Sequence, residues 1–465
     1  MSNPGDADAR VAERLGDLAA YLASGCKPRA AFTIGTEHEA FGFRLGDHSP
    51  PAYEGPDGIG ALLRAIQARE PWEPILDNGK VIGLKGAAGA SLSLEPGGQF
   101  ELSGATLPDL HATRAELDAH IARLRGTAPA LGLGFMPLGF HPTARRADMP
   151  WMPKSRYRIM RAYMPRVGTR GLDMMLRTCT VQVNLDFCSE ADMVAKMRVG
   201  SALQPLATAL FANSPFYEGR PNGLLSNRAH VWGDTDNARA GIPAVIFEDG
   251  FGFEAYARWL LDVPMYFVYR DGTYHDAAGA SFRDFMAGRL AALPGERATI
   301  GDFADHATTA FPDVRLKKYI ETRGADSGAP EMMLAQSALW TGLFYDQAAL
   351  AAAAALVKSL SYPDILALRA AVPKTGLATR FGRGTLRDLA GEVVAIAQDG
   401  LRARARRNPA GKDETLFLAP LREIAAGGPS QAEHWLARYH GAWGGDVSRI
   451  FAEAAFRERG LPPGV

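Results

Sequence analysis

The chain has 465 residues, 47% of them hydrophobic and 22% charged, which is the composition of an ordinary globular protein. Its 51 lysines and arginines balance 51 aspartates and glutamates, so the composition gives no indication of a nucleic-acid footprint or a polybasic membrane anchor. The length allows two or three domains or one large one.

The start of the chain and its cysteines predict a cytoplasmic protein. The first ten residues, MSNPGDADAR, contain acids and no apolar stretch, unlike a secretory signal. The longest apolar run, residues 348–357, is too short to span a bilayer. Cys26, Cys179 and Cys188 cannot all pair with one another, which is typical of a reducing compartment. A regulatory disulfide between Cys179 and Cys188 stays open, although the strand between them would hold them apart.

Hydrophobic periodicity and turn residues predict the elements in chain order. Helices are expected at residues 11–24, 58–68, 107–131 and 191–211, and from about residue 331 to the end. Strands are expected at residues 31–44, 179–187, 264–271 and 313–326, with hairpins at 72–85 and 91–103 and a loop at 213–232. We therefore expect a catalytic, sheet-bearing part over residues 1–330 and a helical part over residues 331–465 packed on it, unless the two form a single domain.

The predicted strand at residues 31–44, AFTIGTEHEAFGFR, carries two carboxylates on one face. Glu37 and Glu39 are about 7 Å apart if the strand is regular. Two carboxylates on one strand face repel each other unless a cation lies between them, so a metal site and a merely solvated strand both fit. His38 points to the other face, where a packing role is expected.

The hairpin at residues 91–103, SLSLEPGGQFELS, has leucines alternating with polar residues on both sides of a Pro-Gly-Gly turn. The alternation places Glu95, Gln99 and Glu101 over one polar surface, while the leucines and Phe100 bury the opposite face. A solvated edge hairpin would explain the same pattern.

Residues 145–170 are rich in Arg, Met and Pro, with interleaved aromatic residues. Nucleic-acid binding is disfavoured by the neutral charge of the whole chain. A lid over an anionic small molecule fits better, and an ordinary solvated helix is the alternative.

Two later strands add polar faces. Residues 179–187, CTVQVNLDF, bury valines, leucine and phenylalanine and present Gln182 and Asn184 on the other side. Residues 313–326, DVRLKKYIETRGAD, are expected to form one strand, in which Glu321 is flanked by the cations Lys317 and Arg323. Such a unit could hold a metal and a phosphate together, and a surface ladder of salt bridges is its alternative.

Several strands thus contribute carboxylates or carboxamides, and Arg323, Lys317 and Arg228 add positive charge. Mg²⁺ and Mn²⁺ prefer oxygen ligands and leave positions for substrate phosphates. Five glutamates suit two or three such ions. With no P-loop and no G-x-G-x-x-G in the sequence, a nucleotide held through metal-bridged phosphates is a coherent hypothesis. Glycoside hydrolysis also uses paired carboxylates, but not so many and not with these cations.

Six motifs in order carry a resemblance to a known family: GTEHE, SLEPGGQFELSGA, MPKSRYRIMRAYMP, TCTVQVNLDF, FANSPFYEGRPNG and KYIETRGAD. The chain resembles the glutamate–cysteine ligases shared by plants and many proteobacteria, from about residue 30 to residue 346. The resemblance implies an α+β fold related to glutamine synthetase, with a curved, mainly antiparallel sheet forming an active-site funnel and helices outside. It also implies the ATP-dependent joining of the glutamate γ-carboxylate to the cysteine amine through γ-glutamyl phosphate, the first step of glutathione biosynthesis.

The same resemblance implies roles for individual residues. Mg²⁺ ions, two or three in number, would be held by the carboxylates of Glu37, Glu39, Glu95, Glu101 and Glu321. Arg323 and Lys317 would stabilise charge on the transferring phosphoryl group. The candidates for substrate binding are Arg228, Arg156, Arg161, Gln182, Asn184 and Gln99, and Gln182 stands where more distant ligases are similar but carry a histidine.

Two alternatives remain at this stage. The acceptor could be another amine, including one in a different thiol pathway, or the protein could be a non-catalytic sensor of glutamate or nucleotide. The expected partners are glutamate, cysteine and ATP, with neither nucleic acid nor membrane, in a cytoplasmic monomer or homodimer.

Overall fold

A sheet of nine antiparallel strands forms the centre of the computed structural model, which describes residues 8–456. The strands of this part of the chain are β1 (Ile34–Arg44), β2 (Glu73–Asp77), β3 (Lys80–Lys85), β4 (Ser91–Leu94), β5 (Phe100–Ser103), β6 (Leu133–Met136), β7 (Thr180–Leu185), β8 (Phe216–Tyr217), β9 (Arg220–Pro221), β10 (Ala240–Gly241), β11 (Phe267–Arg270), β12 (Thr273–Asp276), β13 (Phe311–Pro312), β14 (Val314–Leu316), β15 (Ile320–Asp326), β16 (Arg380–Phe381) and β17 (Gly384–Thr385).

Helices surround this sheet. They are α1 (Leu15–Ala23), α2 (Ile59–Gln67), α3 (Leu110–Thr127), α4 (Ser155–Tyr163), α5 (Gly171–Arg177), α6 (Glu190–Leu210), α7 (Asn227–Trp232), α8 (Phe253–Asp262), α9 (Phe282–Met286), α10 (Ile300–Thr308), α11 (Pro330–Tyr345), α12 (Gln347–Val357), α13 (Tyr362–Thr375), α14 (Leu386–Arg404), α15 (Ala419–Ala425), α16 (Gln431–His440) and α17 (Arg449–Ala454). Short 3₁₀ helices connect several of them.

The long strand β1 organises the sheet. The strand order is β14-β15-β7-β1-β5-β4-β3-β2, and β6 pairs with the far half of β1. The two edges of the sheet are not joined, so it is not a closed barrel. A large antiparallel sheet with helices outside confirms the predicted α+β fold class.

One face of the sheet is apolar and buried by helices. Val181, Val183 and Leu185 of β7 belong to a large core with α6 and α11, and the leucines of the β4–β5 hairpin pack in a second core with α2 and α3. Because side chains alternate across a strand, the polar residues of β1, β5 and β7 are left on the opposite face. This arrangement creates the site described below.

The central hairpin forms as predicted. Ser93 lies opposite Glu101 and Leu92 opposite Leu102, and Gly98 adopts a φ of 86° in the turn. The smaller hairpin β2–β3 also forms, with Asn78 and Gly79 both at positive φ, as a tight turn of this kind requires.

Residues 313–326 do not form the single strand that was expected. They form the antiparallel pair β14–β15, joined by three residues in which the Lys317 N–H donates to the Tyr319 carbonyl at 2.8 Å. The prediction was wrong because a three-residue turn reverses the chain and leaves Leu316 and Ile320 on the same face of the sheet. The alternating pattern is therefore the same for one strand and for this hairpin.

Smaller differences concern segment lengths and loops. The first helix begins at Leu15 and not at Val11. The expected loop at residues 213–232 contains the short hairpin β8–β9 and the helix α7, whose first turn is capped by the Ser226 hydroxyl. The strand near residue 267 pairs only with β12, outside the main sheet.

The chain after residue 330 is helical, as expected, and α11 packs against α14 and β7. That residues 331–465 form a unit separate from residues 1–330 stays a prediction. Within residues 8–456, no single helix has the length and apolarity needed to cross a membrane; one bent pair, residues 347–357 with 362–378, meets the criteria by length and composition alone.

Candidate active site

The polar face of the sheet borders a cavity of about 860 Å³ that is partly open to solvent. Eight of the residues predicted from the sequence line it: Glu39, Glu95, Gln99, Glu101, Arg156, Gln182, Arg228 and Arg323. They come from β1, the β4–β5 hairpin, α4, α7, β7 and β15, so the fold brings together parts of the chain almost 290 residues apart.

One side of the cavity is crowded with carboxylates. Glu39 lies directly opposite Glu101 in the pairing of β1 with β5, and Glu95 follows β4. The Glu39 carboxylate accepts a hydrogen bond from the Thr180 N–H at 2.9 Å. Burial, followed by the charges of Glu101 and Glu95, raises the pKa of Glu39 well above its ordinary value. Repulsion of this kind is relieved by a bound cation.

Glu37 lies behind this group and has protein partners. It accepts hydrogen bonds from Gln182 Nε2 at 2.9 Å and from Asn184 Nδ2 at 3.2 Å. Gln182 Oε1 in turn accepts a hydrogen bond from Arg323. The two predicted substrate-binding amides, Gln182 and Asn184, are thus placed as partners of a glutamate.

The other side of the cavity is rich in cations. The buried carboxylate of Glu321 lies 2.7 Å from Arg315, 3.0 Å from Lys317 and 2.6 Å from Arg323. Burial alone would raise the pKa of Glu321, but these three cations outweigh it and hold the pKa well below its ordinary value. The hairpin makes this cluster possible, because its turn folds Lys317 back toward Glu321 and its register sets Arg315 opposite Glu321.

Arg228 reaches the cavity from α7. Its Nη2 donates to the Arg323 carbonyl at 2.8 Å, while its buried Nε has no hydrogen-bond partner among the described residues. Burial lowers the pKa of the guanidinium, and the charges of Asp326 and Glu39 oppose that effect. A buried arginine nitrogen beside a cavity is suited to an anionic ligand.

The remaining predicted substrate-binding residues differ in placement. Gln99 lines the cavity, but its amide is engaged by the protein: Oε1 accepts from the Gly97 N–H at 2.8 Å, and Nε2 donates to the carbonyls of Met175 and Thr178 at 3.1 and 2.9 Å. Arg156 is half-buried on the cavity wall. Arg161 is exposed and stacks on Trp151 at 4.5 Å, so the fold does not bring it to the cavity.

The basic segment at residues 145–170 lies against the central hairpin. Tyr157 donates its hydroxyl to the Leu94 carbonyl at 2.8 Å, and the Met152 N–H donates to the Pro96 carbonyl at 2.9 Å. Lys154 is buried and donates to Ser93 Oγ at 3.1 Å. Burial lowers the pKa of Lys154 to about 7.

Sequence reasoning did not select Lys154 or Arg315 as site residues. Lys154 precedes α4, so helical spacing gave no indication of its direction, whereas Arg315 shared its predicted face with Glu321 and could have been selected on that basis. Nor did the sequence indicate the apolar wall of the cavity, which is formed by Met160, Met174, Met175, Trp232, Phe267 and Phe311.

The residues fit a divalent cation in part. In the arrangement over residues 8–456, no three His, Cys, Asp or Glu side chains lie close enough together to hold a metal ion. The crowding of Glu39 with Glu95 and Glu101 nevertheless favours a cation, since a positive charge between the carboxylates would relieve their repulsion. Glu37 and Glu321 are satisfied by protein donors and would have to exchange these for an ion.

The three cysteines are free: Cys179 is buried, and Cys26 and Cys188 are half-buried. The disulfide considered for Cys179 and Cys188 is not formed.

The chain is similar to known proteins over nearly its whole length. The family model described as glutamate-cysteine ligase family 2 matches residues 33–453. The chloroplastic glutamate–cysteine ligase of Brassica juncea is 51% identical over 440 residues, covering 95% of this chain and 84% of the relative. The chloroplastic enzyme of Arabidopsis thaliana is also 51% identical, with 95% and 82% covered.

A solved structure supports the fold. The glutamate–cysteine ligase of Francisella tularensis in complex with AMP matches 93% of this chain and 90% of its own, with a TM-score of 0.51 at 13% identity.

The plant relatives also correct one prediction. These relatives are chloroplastic, and this finding contradicts the predicted cytoplasmic location. Unpaired cysteines indicate a reducing environment, and they do not distinguish one reducing compartment from another.

Proposed function

Because the chain belongs to glutamate–cysteine ligase family 2, we propose a chemical role for each part of its cavity. The protein is an ATP-dependent ligase of glutathione biosynthesis that joins the γ-carboxylate of glutamate to the amine of cysteine. The observation that supports the roles below is the arrangement of carboxylates on one side of the cavity and cations on the other.

Two or three Mg²⁺ ions would be held by carboxylates. Glu39, Glu95 and Glu101 are the first candidates because their like charges lie close together on one side of the cavity. Glu37 and Glu321 would complete the set after releasing some of their protein partners. When bound, Mg²⁺ supplies positive charge to the ATP phosphates and neutralises them during transfer.

Arg323 and Lys317 would stabilise the transferring phosphoryl group, and Arg315 would assist them. In the first step, a γ-carboxylate oxygen of glutamate bonds to the γ-phosphorus of ATP, the bond to the β–γ bridging oxygen breaks, and ADP leaves. Negative charge spread over the phosphoryl oxygens is then balanced by cations held at fixed positions around Glu321.

In the second step, the cysteine amine attacks the acyl carbon of γ-glutamyl phosphate, inorganic phosphate leaves, and an amide forms. Arg228 and Arg156 are proposed to bind the glutamate α-carboxylate or a phosphate, since each guanidinium offers a planar pair of donors. Gln182 and Asn184 would orient Glu37, and Gln99 would hold the hairpin turn against the end of α5.

We further propose a monomer or homodimer that binds neither nucleic acid nor membrane, which the balanced charge supports. The helical region from residue 331 would pack on the catalytic part as its support.

The first experiment is ADP release with Mg²⁺, ATP and glutamate, with and without cysteine or another amine. Strong stimulation by cysteine alone is expected. Equal or greater stimulation by another amine would contradict the assigned acceptor. Nucleotide binding without ADP release in the presence of any amine would contradict catalysis altogether and indicate a sensor.

A further inference from the structure

Asp326, at the end of β15, is a buried carboxylate with three donors directed at it. It is 2% exposed. Its oxygens accept hydrogen bonds from the Asn213 N–H at 2.8 Å, the Ser214 hydroxyl at 2.6 Å and the Ser226 hydroxyl at 2.8 Å. Three donors converging on one carboxylate require it to act only as an acceptor.

The two serines that bind Asp326 also hold the start of α7. Ser226 caps this helix by accepting from the Ala229 N–H at 3.1 Å, and Ser214 accepts from the Arg228 N–H at 3.2 Å. A short helix of six residues has little stability of its own. The orientation of α7 therefore depends on these two hydroxyls, and their own directions are set by the carboxylate of Asp326.

Arg228 and Trp232 are the residues of α7 that reach the cavity, and Arg228 is the charged one. Its backbone is fixed through Ser214, and one end of its guanidinium is fixed by the Arg323 carbonyl at 2.8 Å. Arg323 lies three residues before Asp326 in β15. This one strand therefore contacts the guanidinium of Arg228 directly and its backbone through Ser214.

Asp326 is itself held in place from the outside of the site. The side chain of Asn213 donates to the Ser327 carbonyl at 2.7 Å and accepts from Trp435 Nε1 of α16 at 2.8 Å. On its other side, Gly139 packs so closely against Asp326 that a Cβ at Gly139 would lie 2.3 Å from the Asp326 side chain.

We propose that Asp326 is a positioning residue for catalysis, which holds Arg228 toward the substrate through Ser214, Ser226 and α7. The inference rests on the proposed role of Arg228 in binding an anionic group of a substrate. Asp326 does not line the cavity, so its whole effect should pass through Arg228.

The test compares D326N with R228A and with the double variant. Asn has the shape of Asp, but its amide nitrogen would oppose a donor where the carboxylate accepts one. R228A identifies which KM, for glutamate or for ATP, depends on Arg228. D326N should then raise that same KM by about tenfold, with kcat changed less than about threefold. In the double variant, D326N should cause no further rise.

A matched control is D364N, because Asp364 is an exposed residue that accepts from the Ser361 hydroxyl and N–H at the start of α13. It should leave both KM values unchanged. Thermal unfolding verifies that each variant is folded, and if D326N fails to fold, S226A replaces it and should shift the same KM to a smaller extent.

The outcomes separate two failures. If R228A shifts a KM and D326N, or S226A in its place, does not shift it, Asp326 does not act through Arg228. The same conclusion follows if the fold-increases in KM caused by D326N and by R228A multiply in the double variant. If R228A shifts neither KM, the role proposed for Arg228 is wrong, and the inference about Asp326 is overturned with it.

Discussion

Arg315 lies directly opposite Glu321 in the β14–β15 hairpin, and its Nη2 is 2.7 Å from a Glu321 carboxylate oxygen. Both side chains are buried. Arg315 also donates from Nη1 to the carbonyls of Thr308 and Ala310 at 2.8 and 3.0 Å, which fixes its guanidinium between α10 and the site. The charge beside Glu321 is therefore held in place before any substrate arrives.

Replacing Arg315 should impair phosphoryl transfer more than substrate binding. In R315Q, Glu321 keeps Lys317 and Arg323 but loses one fixed positive charge, so we expect kcat to fall at least about tenfold. The KM for glutamate should stay within about threefold. ADP release at saturating ATP measures this effect.

The control for R315Q is R258Q, because the ion pair of Arg258 with Glu254 is exposed on α8 and should contribute little. An R315Q enzyme with normal kcat would contradict the role of this fixed charge.

The polar faces of the site could be predicted because strand side chains alternate with a fixed period. This reasoning found Glu37, Glu39, Glu101 and Gln182 correctly on the faces they occupy. It did not find the pairing of Glu39 with Glu101, since strand register across 60 residues depends on tertiary packing. Nor did it find the β14–β15 turn, because an odd-numbered turn preserves the alternation.

Helical and loop segments were harder to predict at the site. The loop at residues 213–232 is rich in turn residues, and its helix α7 is short enough to be hidden among them. In the basic segment, Lys154 is buried and Arg161 is exposed. Composition alone does not distinguish them, because their directions are set by contact with the central hairpin.

Glu101 should be essential for turnover. It lies opposite Glu39, so E101Q removes one carboxylate from the proposed metal site without changing its shape. We expect turnover to fall by about a hundredfold or more, the scale of losing one electrostatic stabiliser. Binding of Mn²⁺ to the variant, measured in the absence of substrates, should also weaken.

A matched substitution for E101Q is E392Q on the exposed side of α14, which should change neither turnover nor Mn²⁺ binding. Near-normal ADP release by E101Q would refute the metal assignment.

Cys179 should be the least reactive thiol of the native protein. Burial, with an added contribution from Glu39, raises the pKa of this thiol well above its ordinary value, so almost none of it is thiolate at neutral pH. Alkylation by iodoacetamide at pH 7.5 should modify Cys26 and Cys188 much faster than Cys179, as followed by peptide mass spectrometry. In urea all three should react at similar rates, and comparable rates in the folded protein would contradict the buried position of Cys179.

The buried His120 should make the protein less stable in acid. It lies on α3 with its ring stacked on Phe100 at 6.2 Å, and burial lowers its pKa to about 3. The same side chain has a pKa of about 6.5 in an unfolded chain. Between these values the unfolded state binds a proton that the folded state does not, so the free energy of unfolding falls as the pH is lowered from 6.5 toward 3.

Denaturant unfolding at pH 7 and pH 5 measures this effect. The loss of stability between the two should be smaller in H120Q than in the parent by up to about 2 kcal/mol, because glutamine takes up no proton. Comparing each variant with itself at two pH values removes any packing cost of the substitution. H440Q, at an exposed position of α16, should lose as much stability as the parent. If H120Q also behaves like the parent, His120 is protonated in the folded state or titrates normally, and the acid sensitivity must come from other groups.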